Sequence, residues 1–216
     1  MEDLMALKIK VCGMRNPDNI GELIKLNPDY IGFIFHPLSK RYIGANIPSE
    51  IQAAIPKAIQ KVGVFVDEPL ESLIRRFRIS RLDLVQLHGS ELPEYCQKLK
   101  DLHIPVIKAF SISPEFDFGI ALPYENSCDY YLFDTAGILR GGNGLKFDWE
   151  KLNQYRGNKP FFLSGGIQPA DIINIKYLDH NRLYAIDVNS GFETEPGVKD
   201  ISHLESFIKD LRNINS

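Results

Sequence analysis

Lys61-Val-Gly-Val-Phe-Val66, then Asp67-Glu-Pro69, then Leu70, Leu73, Ile74 and Phe77 together read as one complete βα unit. The first run is apolar at consecutive positions and rich in β-branched residues. A strand covered on both faces needs that pattern, as in a parallel sheet with helices outside it. The second run places apolar residues at i, i+3, i+4 and i+7, one stripe of a helix, and Pro69 suits a first helical turn. A strand, a short polar loop and a helix within 61–77 point to a chain that winds around a sheet in one sense.

The unit repeats in both directions. Strands are expected at Lys8–Cys12, Tyr30–Phe35, Lys61–Val66, Leu82–Leu87, Val106–Phe110, Tyr130–Phe133, Pro160–Leu163 and Tyr184–Val188. Between them, Leu92, Tyr95, Cys96 and Leu99 repeat the helical spacing behind Ser90 as the expected N-cap. Asn16-Pro17 and Gln168-Pro169 read as an N-cap followed by the first helical residue, and Leu204, Phe207, Ile208 and Leu211 form a last stripe behind Asp200. The fifth helix, about Pro114–Leu122, is the weakest, because Gly119 and aromatics break its pattern. Eight βα units fit an α/β (β/α)8 TIM barrel, a single domain over 1–216, better than an open sheet of five or six strands. No Gly-x-Gly-x-x-Gly follows the first strand, as a dinucleotide-binding sheet would require.

Composition narrows the function. Hydrophobic residues make up 44% and charged residues 25%, with a net charge of −3. No basic stripe marks a nucleic-acid partner. No apolar run approaches the roughly 18 residues of a membrane span, and the acidic start Met-Glu-Asp is unlike a secretory signal. Three widely spaced cysteines, Cys12, Cys96 and Cys128, form no Cys-x-x-Cys pair or zinc pattern. A reducing, cytoplasmic setting is therefore expected.

In such a barrel the chemistry lies on the loops after the strands, and the unusual residues collect there: Cys12-Gly13, His36 to Arg41, Asp67, His88-Gly89, Asp134, Ser164-Gly165-Gly166 and Asp187 to Glu193. Ser164-Gly165-Gly166-Ile167-Gln168-Pro169 runs from a strand into a helix, and Asn189-Ser190-Gly191 follows the next strand. Paired glycines let backbone N–H groups close around an anion at a helix N-terminus, so Gly165, Gly166, Ser190 and Gly191 are the expected phosphate-binding residues. The alternative, glycines serving only tight turns, would explain one such loop better than two on adjacent strands. Cys12 could be a small buried hydrophobe, yet its strand-end place would make it usable as a base beside a cation. Asp134, after Tyr130-Tyr-Leu-Phe133, could cap a turn or act as a general acid. Asp67 reads as a helix cap. His88 lacks the partners a metal site needs, and no metal is expected. Arg41 could be solvated, or could grip a carboxylate or phosphate with its planar fork.

Together these residues resemble the phosphoribosylanthranilate isomerase family along the whole chain. The matching stretches are Lys10-Val-Cys-Gly-Met14, Gly32-Phe-Ile-Phe35 with Ser39-Lys-Arg41, Val62-Gly-Val-Phe-Val66, Gln86-Leu-His-Gly89, Phe133-Asp-Thr135, Gly141-Gly-Asn-Gly144, Phe147-Asp-Trp149, Ser164-Gly-Gly166 and Asp187-Val-Asn-Ser-Gly191. The resemblance implies an Amadori rearrangement of N-(5'-phosphoribosyl)anthranilate in tryptophan biosynthesis, without metal or organic cofactor. It implies Asp134 as general acid, Cys12 as general base and Arg41 on the anthranilate carboxylate, with His88 and Asp187 also touching substrate. The expected partner is a small phosphorylated molecule, handled by a monomer or homodimer.

Lys40, Asn143 and Asn189 depart from the residues usual at those places, which are proline, threonine and serine. A related sugar isomerase of histidine biosynthesis would carry an aspartate where Cys12 stands. Indole-glycerol phosphate synthase would want a lysine and a glutamate at the barrel's end, and the sequence marks neither. A barrel that only binds phosphosugars would be expected to lack Cys12 or Asp134. The segment Thr135–Lys146, with Gly137, Gly141, Gly142 and Gly144, reads as a lid that orders over bound ligand.

Overall fold

In the computed structural model, which describes residues 7–134, 149–178 and 180–215, eight parallel strands close into a barrel in chain order. They are β1 (Lys8–Val11), β2 (Tyr30–Ile34), β3 (Gln60–Phe65), β4 (Leu84–Leu87), β5 (Val106–Ser111), β6 (Tyr130–Asp134), β7 (Phe161–Ser164) and β8 (Leu183–Val188). Closure rests on β1. Lys10 stands opposite Tyr30 on β2 and opposite Asp187 on β8. The lid expected at Thr135–Lys146 lies outside the described residues.

The helices follow their local chemistry. In α1 (Pro17–Lys25) the Asn16 side chain accepts from the Asn19 N–H at 3.0 Å, and in α6 (Ile201–Arg212) Asp200 accepts from the His203 N–H at 3.1 Å. Each cap satisfies a donor that the helix leaves open and stabilises by about 1 kcal/mol. Helices α2 (Ser49–Ala54), α3 (Leu70–Ile79), α4 (Pro93–Asp101) and α5 (Ile172–Lys176) complete the α-helical set among the described residues. Leu73, Leu99 and Leu204 are fully buried on the inner faces of α3, α4 and α6, each contributing roughly 1.5–3 kcal/mol.

Several local expectations need correction. The fifth crossover is a 3-10 segment, Phe118–Tyr124, with i→i+3 bonds such as Ile120 N–H to Asp117 O at 3.1 Å. Trp149–Gln154 is likewise 3-10; Gln168 and Pro169 do take the expected N-cap and first-residue places, but the element they open is a 3-10 turn, Pro169–Asp171, that runs into α5. Ser90 does not cap α4: Leu92 occupies the cap, and the Ser90 N–H donates to Asp67 Oδ1 at 2.6 Å. That contact also removes Asp67 from α3, which starts behind Pro69 with no side-chain cap.

Two cores result. One fills the layer between strands and helices, and the other fills the barrel with Val62, Leu84, Ile107, Ala109, Leu132, Phe162 and Ala185. At the strands' N-terminal ends Tyr30, Tyr130, Phe162 and Tyr184 pack edge to face or stacked. Tyr130 and Tyr184 have centroids 4.9 Å apart, and the Tyr30 and Tyr184 hydroxyls are hydrogen-bonded at 2.7 Å. These rings plug that end.

Candidate active site

Cys12 directly follows β1, where its N–H donates to Val188 O at 2.9 Å. The space for its thiol comes from Gly32 on β2: a Cβ there would lie 2.7 Å from Cys12 Sγ. Beside it Gly13 takes φ +80, and a Cβ would lie 2.6 Å from Arg41 Cδ and 2.7 Å from Asn189 Oδ1. Only glycine fits either requirement.

Beneath Cys12 lies a buried ion pair. Lys10 and Asp187 are direct neighbours across β1 and β8, so their side chains share the inner face, and Lys10 Nζ donates to Asp187 Oδ1 at 2.9 Å. Burial works against the Lys10 ammonium, but the Asp187 carboxylate and the Cys12 sulfur hold its pKa above the usual lysine value. For Cys12 burial is the largest influence and raises the thiol; Lys10 and Lys199 pull against it without reversing it. The free site therefore rests as a thiol under two cations.

Opposite, Asp134 ends β6, and its Oδ2 lies 3.2 Å from His88 Nε2. Gln86, two residues before His88 on the same face, contacts His88 Nδ1 through Nε2 at 2.8 Å. In that arrangement Nδ1 accepts, so Nε2 carries the proton and donates to Asp134. The same arrangement leaves Gln86 Oε1 buried with no hydrogen-bond partner among the described residues, and Gln86 lines the cavity.

The phosphate-type loops meet each other. Gly165 and Gly166 have φ of +109 and +64, and a Cβ on Gly191 would lie 2.0 Å from Ile167 O. The two loops thus touch backbone to backbone. Cys12, His88, Asp134, Gly165, Gly166, Asp187, Ser190 and Gly191 all line one cavity of about 150 Å³ at the C-terminal ends of the strands. Two larger clefts, near 450 Å³ each, lie at Glu115–Gly157 and Asn153–Arg182. Neither brings an acid, a thiol and a glycine cradle together.

Arg41 stands apart from that lining. Its guanidinium binds Glu193 in the loop after β8, with Nη2 at 2.5 Å from Oε2, and Glu193 in turn accepts from Lys199 Nζ at 2.6 Å. Sequence reasoning gave Lys10, Gln86, Glu193 and Lys199 no role in the site, although the first three fall within stretches it singled out. Its expectation that the barrel's end holds no buried lysine or glutamate is also corrected. Besides Lys10, Lys108 is buried against Glu91 at 3.2 Å, and Lys108 Nζ also donates to the Leu87, Gly89 and Ala109 carbonyls. Lys108 and Glu91 do not line the cavity; they brace the loop that carries His88. Asn189, one of the departures, uses its Oδ1 to accept from Lys199 Nζ at 2.8 Å.

Among the described residues no group of three His, Cys, Asp or Glu could hold a metal ion, and no helix is long and apolar enough to cross a membrane.

Comparison with known proteins bears on the family and the fold. The family profile described as "PRAI: N-(5'phosphoribosyl)anthranilate (PRA) isomerase" matches residues 9–210. The N-(5'-phosphoribosyl)anthranilate isomerase of Parabacteroides distasonis is 46% identical over 205 residues, 94% of this chain and 92% of that protein. The crystal structure of phosphoribosyl anthranilate isomerase from Thermotoga maritima superposes with a TM-score of 0.81 at 35% identity, covering 96% of this chain and 99% of that one. A phosphoribosyl anthranilate isomerase solved with reduced 1-(o-carboxyphenylamino)-1-deoxyribulose 5-phosphate superposes equally well, with a TM-score of 0.81 at 34% identity over 96% of this chain and 99% of that one.

Proposed function

Since the chain belongs to the N-(5'-phosphoribosyl)anthranilate isomerase family, an enzyme of tryptophan biosynthesis, we propose that it carries out the rearrangement with Asp134 as general acid and Cys12 as general base. The observation that supports this most is the single cavity, where a thiol, a carboxyl group and two touching glycine loops face one another.

The steps follow from these positions. Asp134 gives a proton to the furanose ring oxygen as the C1–O bond breaks, and the anthranilate nitrogen lone pair forms the C1=N iminium. The Cys12 thiolate then takes the C2 proton; the C–H electrons form C1=C2, and the nitrogen regains its lone pair. The resulting enol loses its hydroxyl proton and gains one at C1, giving the aminoketone, an isomer of the starting compound. The iminium cation beside Cys12 favours the thiolate when it is needed, countering the effect of burial. Acid and base come from β6 and β1, so each can work on a different face of one sugar.

The substrate's anions have separate seats. Gly165, Gly166, Ser190 and Gly191 would hold the phosphate with backbone N–H groups, and Arg41 the anthranilate carboxylate. Fixing both ends places C1 and C2 between the catalytic groups. His88 would orient Asp134, and Gln86 Oε1 suits a sugar hydroxyl. The test is fluorescence-monitored turnover of freshly made N-(5'-phosphoribosyl)anthranilate. Cys12→Ala and Asp134→Ala should each lower kcat by about two orders of magnitude or more in a folded protein. Parent-like kcat in both variants would remove these role assignments.

A further inference from the structure

Arg41 meets Glu193 through one edge of its guanidinium. Nε donates to Oε1 at 2.8 Å and to Oε2 at 3.0 Å, and Nη2 donates to Oε2 at 2.5 Å. The group is a planar fork with five N–H donors, able to bind one carboxylate side-on through Nε and Nη2 and another end-on through Nη1 and Nη2. Glu193 takes the side edge. Among the described residues no partner meets Nη1, so the end edge can take a second carboxylate.

Glu193 is itself held firmly. Its side chain is 5% exposed, and Oε1 also accepts from Lys199 Nζ at 2.6 Å and from the Gly197 N–H at 3.1 Å. Burial acts against its charge, yet hydrogen bonds from Arg41 and Lys199 hold its carboxyl below the usual range. Lys199, its side chain fully buried, also donates to Asn189 Oδ1 at 2.8 Å and Asn189 O at 3.3 Å. Asn189 immediately precedes Ser190-Gly191. One chain of contacts, Arg41–Glu193–Lys199–Asn189, therefore joins the expected carboxylate seat to the expected phosphate loop.

We propose that Glu193 is a positioning residue: anchored by Lys199, it aims the end edge of Arg41 at the substrate carboxylate and sets that seat at a fixed distance from the phosphate loop. This rests on the reading of Arg41 given above and extends it. The competing idea is that Glu193 occupies the seat and is displaced by substrate. Geometry counts against it: Glu193 meets Arg41 only along the Nε–Nη2 edge and is tied down by Lys199 and the Gly197 N–H, so a second carboxylate can reach the other edge without displacing it.

The experiment is a cycle between protein and ligand. Calorimetry gives Kd for reduced 1-(o-carboxyphenylamino)-1-deoxyribulose 5-phosphate and for the same compound without its carboxyl group, with the parent protein and with Glu193→Ala. The proposal expects the variant to lose about tenfold or more in affinity for the carboxylated ligand, the scale of a charged hydrogen bond, and less than threefold for the other. KM for substrate should rise by more than kcat falls. Equal losses for both ligands would overturn it in favour of a general scaffolding role, and tighter binding of the carboxylated ligand would overturn it in favour of displacement. If Glu193→Ala does not fold because Lys199 is left buried without a counter-charge, Glu193→Gln answers with the same ligand pair. Its Oε1 still accepts from Lys199, and the carboxylate-dependent loss should be smaller but still confined to one ligand. A parent protein that binds both ligands equally would instead refute the placement of the carboxylate at Arg41.

Discussion

Replacing Lys10 by Met tests the floor of the site. Its ammonium and the Asp187 carboxylate lie 2.9 Å apart with side-chain exposures of 0% and 4%. At an effective dielectric constant of about 20 the attraction is about 6 kcal/mol, largely offset by the cost of taking both charges out of water. Removing one partner keeps that cost for Asp187 and loses the attraction, so Lys10→Met should destabilise by about 3–5 kcal/mol. For a chain of this size that is a fall in Tm of roughly 6–20 °C. The double variant Lys10→Met with Asp187→Asn removes both charges and should recover at least half of the loss. The deficit should also shrink with acid. Burial is the largest influence on Asp187 and raises its pKa; without Lys10 the rise is larger. A folded-state carboxyl with a raised pKa is least unfavourable below its unfolded value and loses stability as pH climbs through the folded one. Scanning calorimetry at pH 5 and pH 7.5 reads all of this. A single variant melting within 2 °C of the parent at pH 7.5, or a double variant less stable than the single, would refute the reasoning.

Three further outcomes are expected. Arg41→Ala should chiefly raise KM, since a carboxylate seat binds ground state and transition state alike; a fall in kcat alone, measured by steady-state kinetics, would put Arg41 in the chemistry. Because the Cys12 thiol is raised mainly by burial, the proposed thiolate base requires kcat/KM to climb as pH rises above neutrality, and a profile flat from pH 7 to 9.5 would exclude it. Cys96 and Cys128 are pushed by burial to about 11 and about 12. The fold favours the neutral thiol, so stability should be intact below the unfolded thiol pKa near 9 and decline as pH rises toward those values. Urea denaturation at pH 8 and pH 10.5 measures that decline.

Sequence reading located the strands well because each is a continuous apolar run, and a strand buried on both faces needs little else to identify it. It placed Cys12, Asp134 and the glycine pairs at strand ends, where they line one cavity, because strand ends in this architecture are few and oddities there stand out. It went wrong where distant side chains decide the outcome. Ser90 looks like a cap until Glu91 turns inward to accept from the Asp67 and Gly89 N–H groups and to meet Lys108. Lys10 and Lys108 sit within strands as lysines at a solvent-facing edge would, and only the pairing of β1 with β8, or the fold of the loop after β4, supplies their counter-charges. Glu193 and Lys199 are six residues apart, in β9 (Glu193–Glu195) and β10 (Val198–Lys199). They reach Arg41 only once β8 returns to β1. Gln86 was given no role because an amide in a strand carries no pattern until its neighbours fail to satisfy it.

The ring of tyrosines at the strands' N-terminal ends, with Phe162 among them, bears on traffic as well as on packing. A tunnel open at both ends would let one molecule follow another. With that end closed among the described residues, the doorway is at the strands' C-terminal ends, and the aminoketone leaves on the side by which the next phosphoribosyl compound goes in. Anything lodged at the rim halts arrivals and departures together, and whatever enzyme uses the product next must collect it outside that same doorway.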